Sequence, residues 1–315
     1  MTRRAHLLGC TALAGALLCG LDTRGAHAEN LWLGMGVDGN WSTPGNFADP
    51  LAAGQDLTFG GGGNRNNVHD AGAPVLVNSI SFADVPYIYT ITGVGLQLAS
   101  GISNFSSDTQ TVSLDTIRLV GSQNFTASRS ELVINSPLIF SLAGQSQSLA
   151  IRGGSTVTLN GLISEEGGAG TYTGSLTMAG TGTLVLGNAV NTYSGGTFFN
   201  AGTTAITSAG SLGTGGLTFN SGTLSVSGTD QTITVPVTLS SGGGTVDTNG
   251  VDVEISGVVS GAGGLTKTGS GELSLTSFNT YQGGTTVKGG TLYAPQDNLL
   301  GDSAGVLTLV GGSLL

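Results

Sequence analysis

Charge is scarce in this 315-residue chain: Asp, Glu, Lys and Arg together make up 9% of it. Cysteine occurs twice, at Cys10 and Cys19, and histidine three times, at His6, His27 and His69. Both cysteines and two histidines fall within residues 1–28, which have the order of a secretory signal peptide. Arg3-Arg4 precede the apolar run LLGCTALAGALLCGL at 7–21, then comes Ala26-His27-Ala28, so cleavage is expected before Glu29. The alternatives are an uncleaved anchor and a lipoprotein. The run is shorter than the ~20 residues a spanning helix needs. Cys10 lies too early for a lipobox, and Cys19 lacks the small residue before it.

Each shortage excludes a class of chemistry. From Glu29 onward there is no cysteine, hence no disulfide and no thiolate metal site. His69 alone cannot complete a His/Cys zinc set. Arg65, Arg118, Arg129, Arg152, Lys267 and Lys288 face eighteen carboxylates, a net charge of −12. Nucleic acid and acidic membrane surfaces are poor partners for such a chain. A low charge content also argues against charged disorder.

What is present is glycine, 56 residues, among abundant Thr, Ser, Val and Leu. From Asn30 on, no amphipathic helical pattern lasts three turns. Short period-two pairs recur instead: Val75-x-Val77, Ile80-x-Phe82, Leu96-x-Leu98, Val157-x-Leu159, Leu184-x-Leu186, Leu217-x-Phe219, Leu224-x-Val226 and Leu273-x-Leu275. Corners such as Ser221-Gly222, Asn249-Gly250 and Lys288-Gly289-Gly290 separate them. Such strands suit an antiparallel sandwich or a solenoid. Internal repetition favours the solenoid. Residues 175–204 align with 264–292: Leu176 with Leu265, Leu184-x-Leu186 with Leu273-x-Leu275, Asn191-Thr192-Tyr193 with Asn279-Thr280-Tyr281, and Gly195-Gly196-Thr197 with Gly283-Gly284-Thr285. The match continues loosely through Leu212-Gly213 and Leu300-Gly301. A spacing near ninety residues is several coils, since one takes roughly 20–25. Residues 29–315 would therefore make about 12 coils, a rod on the order of 55–60 Å long.

The segment Gly264–Leu292 resembles the autotransporter-associated β-strand repeat, also called the passenger-associated transport repeat. The opening Leu31-Trp32-Leu33-Gly34, Asn40-Trp41 to Asn46-Phe47, and Asp56-Leu57-Thr58-Phe59-Gly60-Gly61 is similar to the aromatic module that commonly precedes these repeats, with Phe47 where Trp is usual. The resemblance implies an all-β, right-handed parallel β-helix, exported through the periplasm to the cell surface, outer membrane or medium. It implies a structural or adhesin-like passenger whose repeats assist secretion and folding, with no catalysis and no cofactor. An outer-membrane β-barrel translocator is the implied partner, with host glycan or matrix as a further one. The expected division is signal peptide 1–28, an N-terminal β-rich capping part 29–130 built around Trp32, Trp41 and Phe47, and a β-helix 131–315. No barrel pattern of about ten-residue alternating strands precedes Leu315, so a truncated C-terminal end, prone to fraying or self-association, is expected.

The rival function is a polysaccharide-acting β-helix enzyme of the pectin-lyase kind, which needs carboxylates grouped on one coil face, often with calcium or a basic residue. The densest acidic group is Asp247, Asp252 and Glu254; Glu165-Glu166 is a second pair. Both read as solvated-face or corner residues, and the Asp247, Asn249, Asp252 spacing is not that of a known calcium repeat. His69-Asp70 lacks a nucleophile elbow and is expected in a surface loop after Gly60–Gly63, a glycine run without the Lys-Ser/Thr of a phosphate loop. No catalytic, cofactor-binding or metal-ligating residue is assigned. Tyr87, Tyr89, Tyr172, Tyr193, Phe198, Phe199 and Tyr281 are candidate aromatic platforms for an adhesin. The repeat positions of Tyr193 and Tyr281 favour an interior role for those two.

Overall fold

The computed structural model describes residues 28–141, 144–167 and 172–315. The expected signal peptide thus lies outside the described residues, apart from Ala28. Among the described residues every pairing of one strand with another is parallel, the single Trp32–Phe47 bridge being antiparallel, and three sheets wind into a β-solenoid of about 12 turns. The antiparallel sandwich is thereby set aside. Glycine and Asn corners keep most strands short, and stacking each strand on its predecessor satisfies the backbone without hairpins. Two of the corners foreseen in the sequence hold Ser221 and Asn249 at positive φ, 83° and 44°.

A 14-stranded sheet begins with Glu29–Trp32 and ends with Val259–Ser260; a 12-stranded sheet runs from Asn66–His69 to Leu307–Leu309. The third side changes character along the rod. Two long strands, Val75–Phe82 and Leu96–Asn104, bend across two sides. The next coils split into separate strands, Ile117–Leu119 with Gln123–Ala127, and Leu138–Phe140 with Gln147–Arg152. Further on, a five-stranded sheet from Gln231–Ile233 to Ser313–Leu314 takes over this side. Coils also shorten. Thr156 pairs with Thr183, 27 residues on, whereas Thr183, Thr203 and Thr223 stack at intervals of 20.

Period-two alternation puts Leu, Val, Ile and Phe inside and Thr, Ser and Asn outside. Of the eight foreseen pairs only Val75 is less than fully buried. The buried apolar side chains form one core from Trp32 to Leu299. Each is worth about 1.5–3 kcal/mol when fully buried. At the N-terminal end Trp32, Trp41, Phe47 and Phe59 close the first coils in edge and tilted contacts, 5.0 Å between the Trp32 and Phe47 rings. The Trp32 indole N–H donates to the Asn64 carbonyl at 2.8 Å. An aromatic cap suits the open edge of a first coil.

Candidate functional site

One buried side-chain arrangement is built twice, once in each repeat. In the first, Asn191 is buried and bridges two coils: its Oδ1 accepts from the Ile163 N–H at 2.8 Å, and its Nδ2 donates to the Ser211 carbonyl at 2.7 Å. Two residues on, Tyr193 is fully buried with its hydroxyl 2.7 Å from Thr197 Oγ1, and that threonine donates to the Leu212 carbonyl at 2.9 Å. The second repeat reproduces the set apart from the threonine-to-carbonyl bond. Asn279 accepts from Val259 N–H at 2.8 Å and donates to the Leu299 carbonyl at 2.6 Å, and Tyr281 lies 2.6 Å from Thr285 Oγ1. Here the coil forms no regular strand, and the asparagine side chain adds to the few backbone bonds between coils by holding one amide and one carbonyl. Burial raises both phenols, Tyr281 to about 12 and Tyr193 further, while the threonine bonds act in the opposite direction.

The two copies do not sit on the same faces. Strands Gly174–Met178 and Thr197–Phe199 belong to the 14-stranded sheet, whereas their counterparts Leu265–Thr268 and Thr285–Val287 belong to the 12-stranded one. From Leu176 the stack passes Thr197, Leu217, Val237 and Val259 before the chain turns one corner to Leu265. The offset is therefore four coils and one side.

Of the interior positions that differ between the copies, one exchanges an apolar side chain for a charged one. Lys267 is fully buried on the inward side of its strand, and Met178 fills the matching place. The lysine Nζ donates to Thr248 Oγ1 at 2.9 Å and to the carbonyls of Thr268, Gly269 and Gly289 at 2.7, 2.8 and 3.2 Å. It thereby ties three successive coils together. Burial lowers its pKa, opposed by the charges of Asp247 and Asp252. Gly202 and Gly290 cover the two positions at φ 53° and 63°, where a Cβ would approach Met178 Cε to 2.7 Å and Lys267 Nζ to 2.9 Å.

The residues singled out for chemistry are dispersed. Asp247 ends a strand of the 12-stranded sheet, while Asp252 and Glu254 lie around the corner at the five-stranded sheet. Their oxygens serve local groups: Asp247 accepts from Asn249 N–H at 3.1 Å, Asp252 from Glu272 N–H at 2.8 Å and Glu254 from Thr276 Oγ1 at 2.9 Å. Glu165 accepts from the N–H groups of Gly174 and Ser194. Glu166 turns out to Arg118 and Ser141, which hold its carboxyl below the usual range. Among the described residues no three His, Cys, Asp or Glu side chains gather as a metal-ligand set.

His69 is a correction. It is not in a surface loop but ends the strand Asn66–His69, fully buried beneath Trp41, with ring centroids 4.7 Å apart. Its Nδ1 lies 2.8 Å from the Val94 carbonyl. The strand points Asn67 and His69 inward, so a polar pair occupies core positions and hides the strand from a reading based on hydrophobicity. Asp70 diverges outward, as neighbours in extended chain do, and its bonds to Ser42 outweigh burial to hold its pKa down.

Of the aromatic candidates, Tyr89, Tyr193, Phe199 and Tyr281 are buried, and Phe199 stacks on Phe219 at 4.2 Å. Tyr87 and Phe198 are half-buried and Tyr172 is exposed. They form no common outer platform. The asparagine clamp, the interior lysine and an outer groove around Phe105 went unforeseen; a coil-length spacing was the only available signal for the last.

Residues 176–206 and 265–294 match the family model of the passenger-associated transport repeat. These are the two aligned repeats, within two residues of the expected boundaries. No curated protein and no solved structure matches the chain. A passenger repeat implies export to the surface or the medium, and a translocator domain elsewhere. Two such repeats in a parallel β-solenoid of about 12 turns fit an autotransporter passenger repeat protein.

Proposed function

We propose that this chain is a non-catalytic, adhesin-like passenger whose repeats help it fold as it emerges across the outer membrane. The observation that carries this reading is the doubled Asn–Tyr–Thr clamp. Each copy joins neighbouring coils through contacts 4 to 28 residues apart in sequence. A segment that orders itself within two or three coils can fold as soon as that length has emerged, and each new coil then docks on the last. Folding outside the membrane would oppose backward slippage. The paucity of charge and the absence of cysteine after residue 28 suit threading through a barrel.

In this reading residues 1–28 direct passage into the periplasm, 29–130 form the capped N-terminal part, and 131–315 the repeat-bearing β-helix. The adhesive role is supported by the long outer faces of Thr, Ser and Asn, with host glycan or matrix as target. A pectin-lyase-like activity is the second reading, weakened by the local use of Asp247, Asp252 and Glu254.

Cell fractionation and protease shaving of bacteria producing the protein with its translocator test the proposal. Surface-exposed or released chain beginning at Glu29 is expected. Retention in the cytoplasm with residues 1–28 still attached would refute it.

A further inference from the structure

The groove that crosses the outer side of the early coils lies beside Phe105. In successive coils the residue after each inward strand end points out: Ala83, Phe105 and Ser128. Their N–H groups stack on the preceding coil, donating to the carbonyls of Phe59, Phe82 and Asn104 at 2.9, 3.0 and 3.0 Å. Phe105, 43% exposed, thus stands between two small neighbours that leave its ring proud of the surface. One residue further along, Asp84 and Arg129 come from the coils below and above the phenylalanine and pair with each other across it, Nη1 to Oδ2 at 2.5 Å. Glu29 closes the far end, accepting from Thr58 Oγ1 at 2.9 Å. The groove is open to solvent along one side and has a volume of about 520 Å³, within the range of small-ligand sites.

We infer that this groove binds a neutral oligosaccharide, with a sugar ring against Phe105 and its hydroxyls on Asp84 and Arg129. The inference rests on the adhesive reading and names its ligand class. An exposed aromatic ring beside a planar donor fork and a carboxylate acceptor offers what a pyranose presents: an apolar C–H face, and hydroxyls that both donate and accept. A net charge of −12 after residue 28 repels a polyanion. Polygalacturonate and sulfated glycans are therefore excluded. The ion pair has both members more than 40% exposed, so it contributes little to stability. Its side chains are available to a ligand.

The test is calorimetric titration of the exported chain with neutral hexasaccharides of glucose, mannose and N-acetylglucosamine, with polygalacturonate as the anionic probe. At least one neutral hexasaccharide is expected to bind. Phe105→Ala should weaken it about tenfold or more, Phe105→Tyr should retain it, and Arg129→Gln should weaken it with an unchanged unfolding midpoint. Failure of all three sugars to bind, equal binding by Phe105→Ala, or preference for polygalacturonate would overturn the inference. Adhesion to host cells is measured alongside. If Phe105→Ala adheres as well as wild type and no neutral sugar binds, the groove is refuted while the adhesive reading stands. Wild-type chain that adheres to nothing refutes the adhesive reading itself.

Discussion

Tyr193 and Tyr281 each bond the threonine four residues downstream, yet they do so on different sides of the solenoid. Tyr193 follows a residue whose N–H pairs with Ile163, on the ladder through Leu138–Phe140; the matching residue before Tyr281 pairs with Val259, at the end of the 14-stranded sheet. A motif that forms the same contacts on either side draws its structure from the coils it touches and not from its position around the rod. That independence is what a local folding unit requires.

Removing the asparagine clamp should cost the repeat a large part of its stability. Asn191→Ala or Asn279→Ala leaves one buried N–H and one buried carbonyl without a partner, each worth about 1–3 kcal/mol. A loss of about 2–5 kcal/mol is expected in urea unfolding of either variant. Asn→Asp should not rescue it, because a carboxylate cannot donate to the Ser211 or Leu299 carbonyl.

Tyr281 should make stability fall in alkali. Its folded pKa is raised to about 12, whereas an unfolded tyrosine titrates near 10. The unfolded chain therefore loses its proton first. The contribution of the neutral phenol is complete below about pH 10 and is lost as pH climbs through the folded value near 12. Urea midpoints of wild type and Tyr281→Phe, measured across that window, should converge. Parallel curves would show that the phenol is not held as described.

Lys267 has the opposite sign. Burial lowers its folded pKa below 10.5, so the folded chain releases the proton first. Stability attributable to this residue should rise as pH passes from the folded value towards 10.5. Lys267→Met should remove that rise and keep the fold at a smaller cost than Lys267→Ala, since it strands the same oxygens but fills the site with a side chain of similar volume, as in the other repeat. Lys267→Ala, which empties the site and strands its oxygens, should cost about 3–5 kcal/mol.

The fold was readable in the sequence because its code is short-range. Alternation placed Leu184 and Leu186 or Leu273 and Leu275 inside, and Ser221 and Asn249 marked corners. The repeated Tyr193 and Tyr281 announced an interior role. Lys267 was equally patterned, two residues from the inward Leu265, but its charge argued for solvent. The rotation of the second repeat was hidden because coils of 20 to 27 residues do not divide an 89-residue offset evenly. The Phe105 groove assembles Glu29, Asp84 and Arg129 from different coils, and their proximity exists only once register is fixed.

The most direct measurement is the rate of surface appearance of the passenger on its translocator, by pulse-chase with external protease. Asn191→Ala and Asn279→Ala are compared with Leu57→Ala, a core truncation far from both repeats, with stabilities matched by urea unfolding. If the repeats drive export, the asparagine variants appear several-fold more slowly while Leu57→Ala keeps pace with wild type. Equal slowing in all three would mean that overall stability alone governs export, contradicting a special role for the repeats.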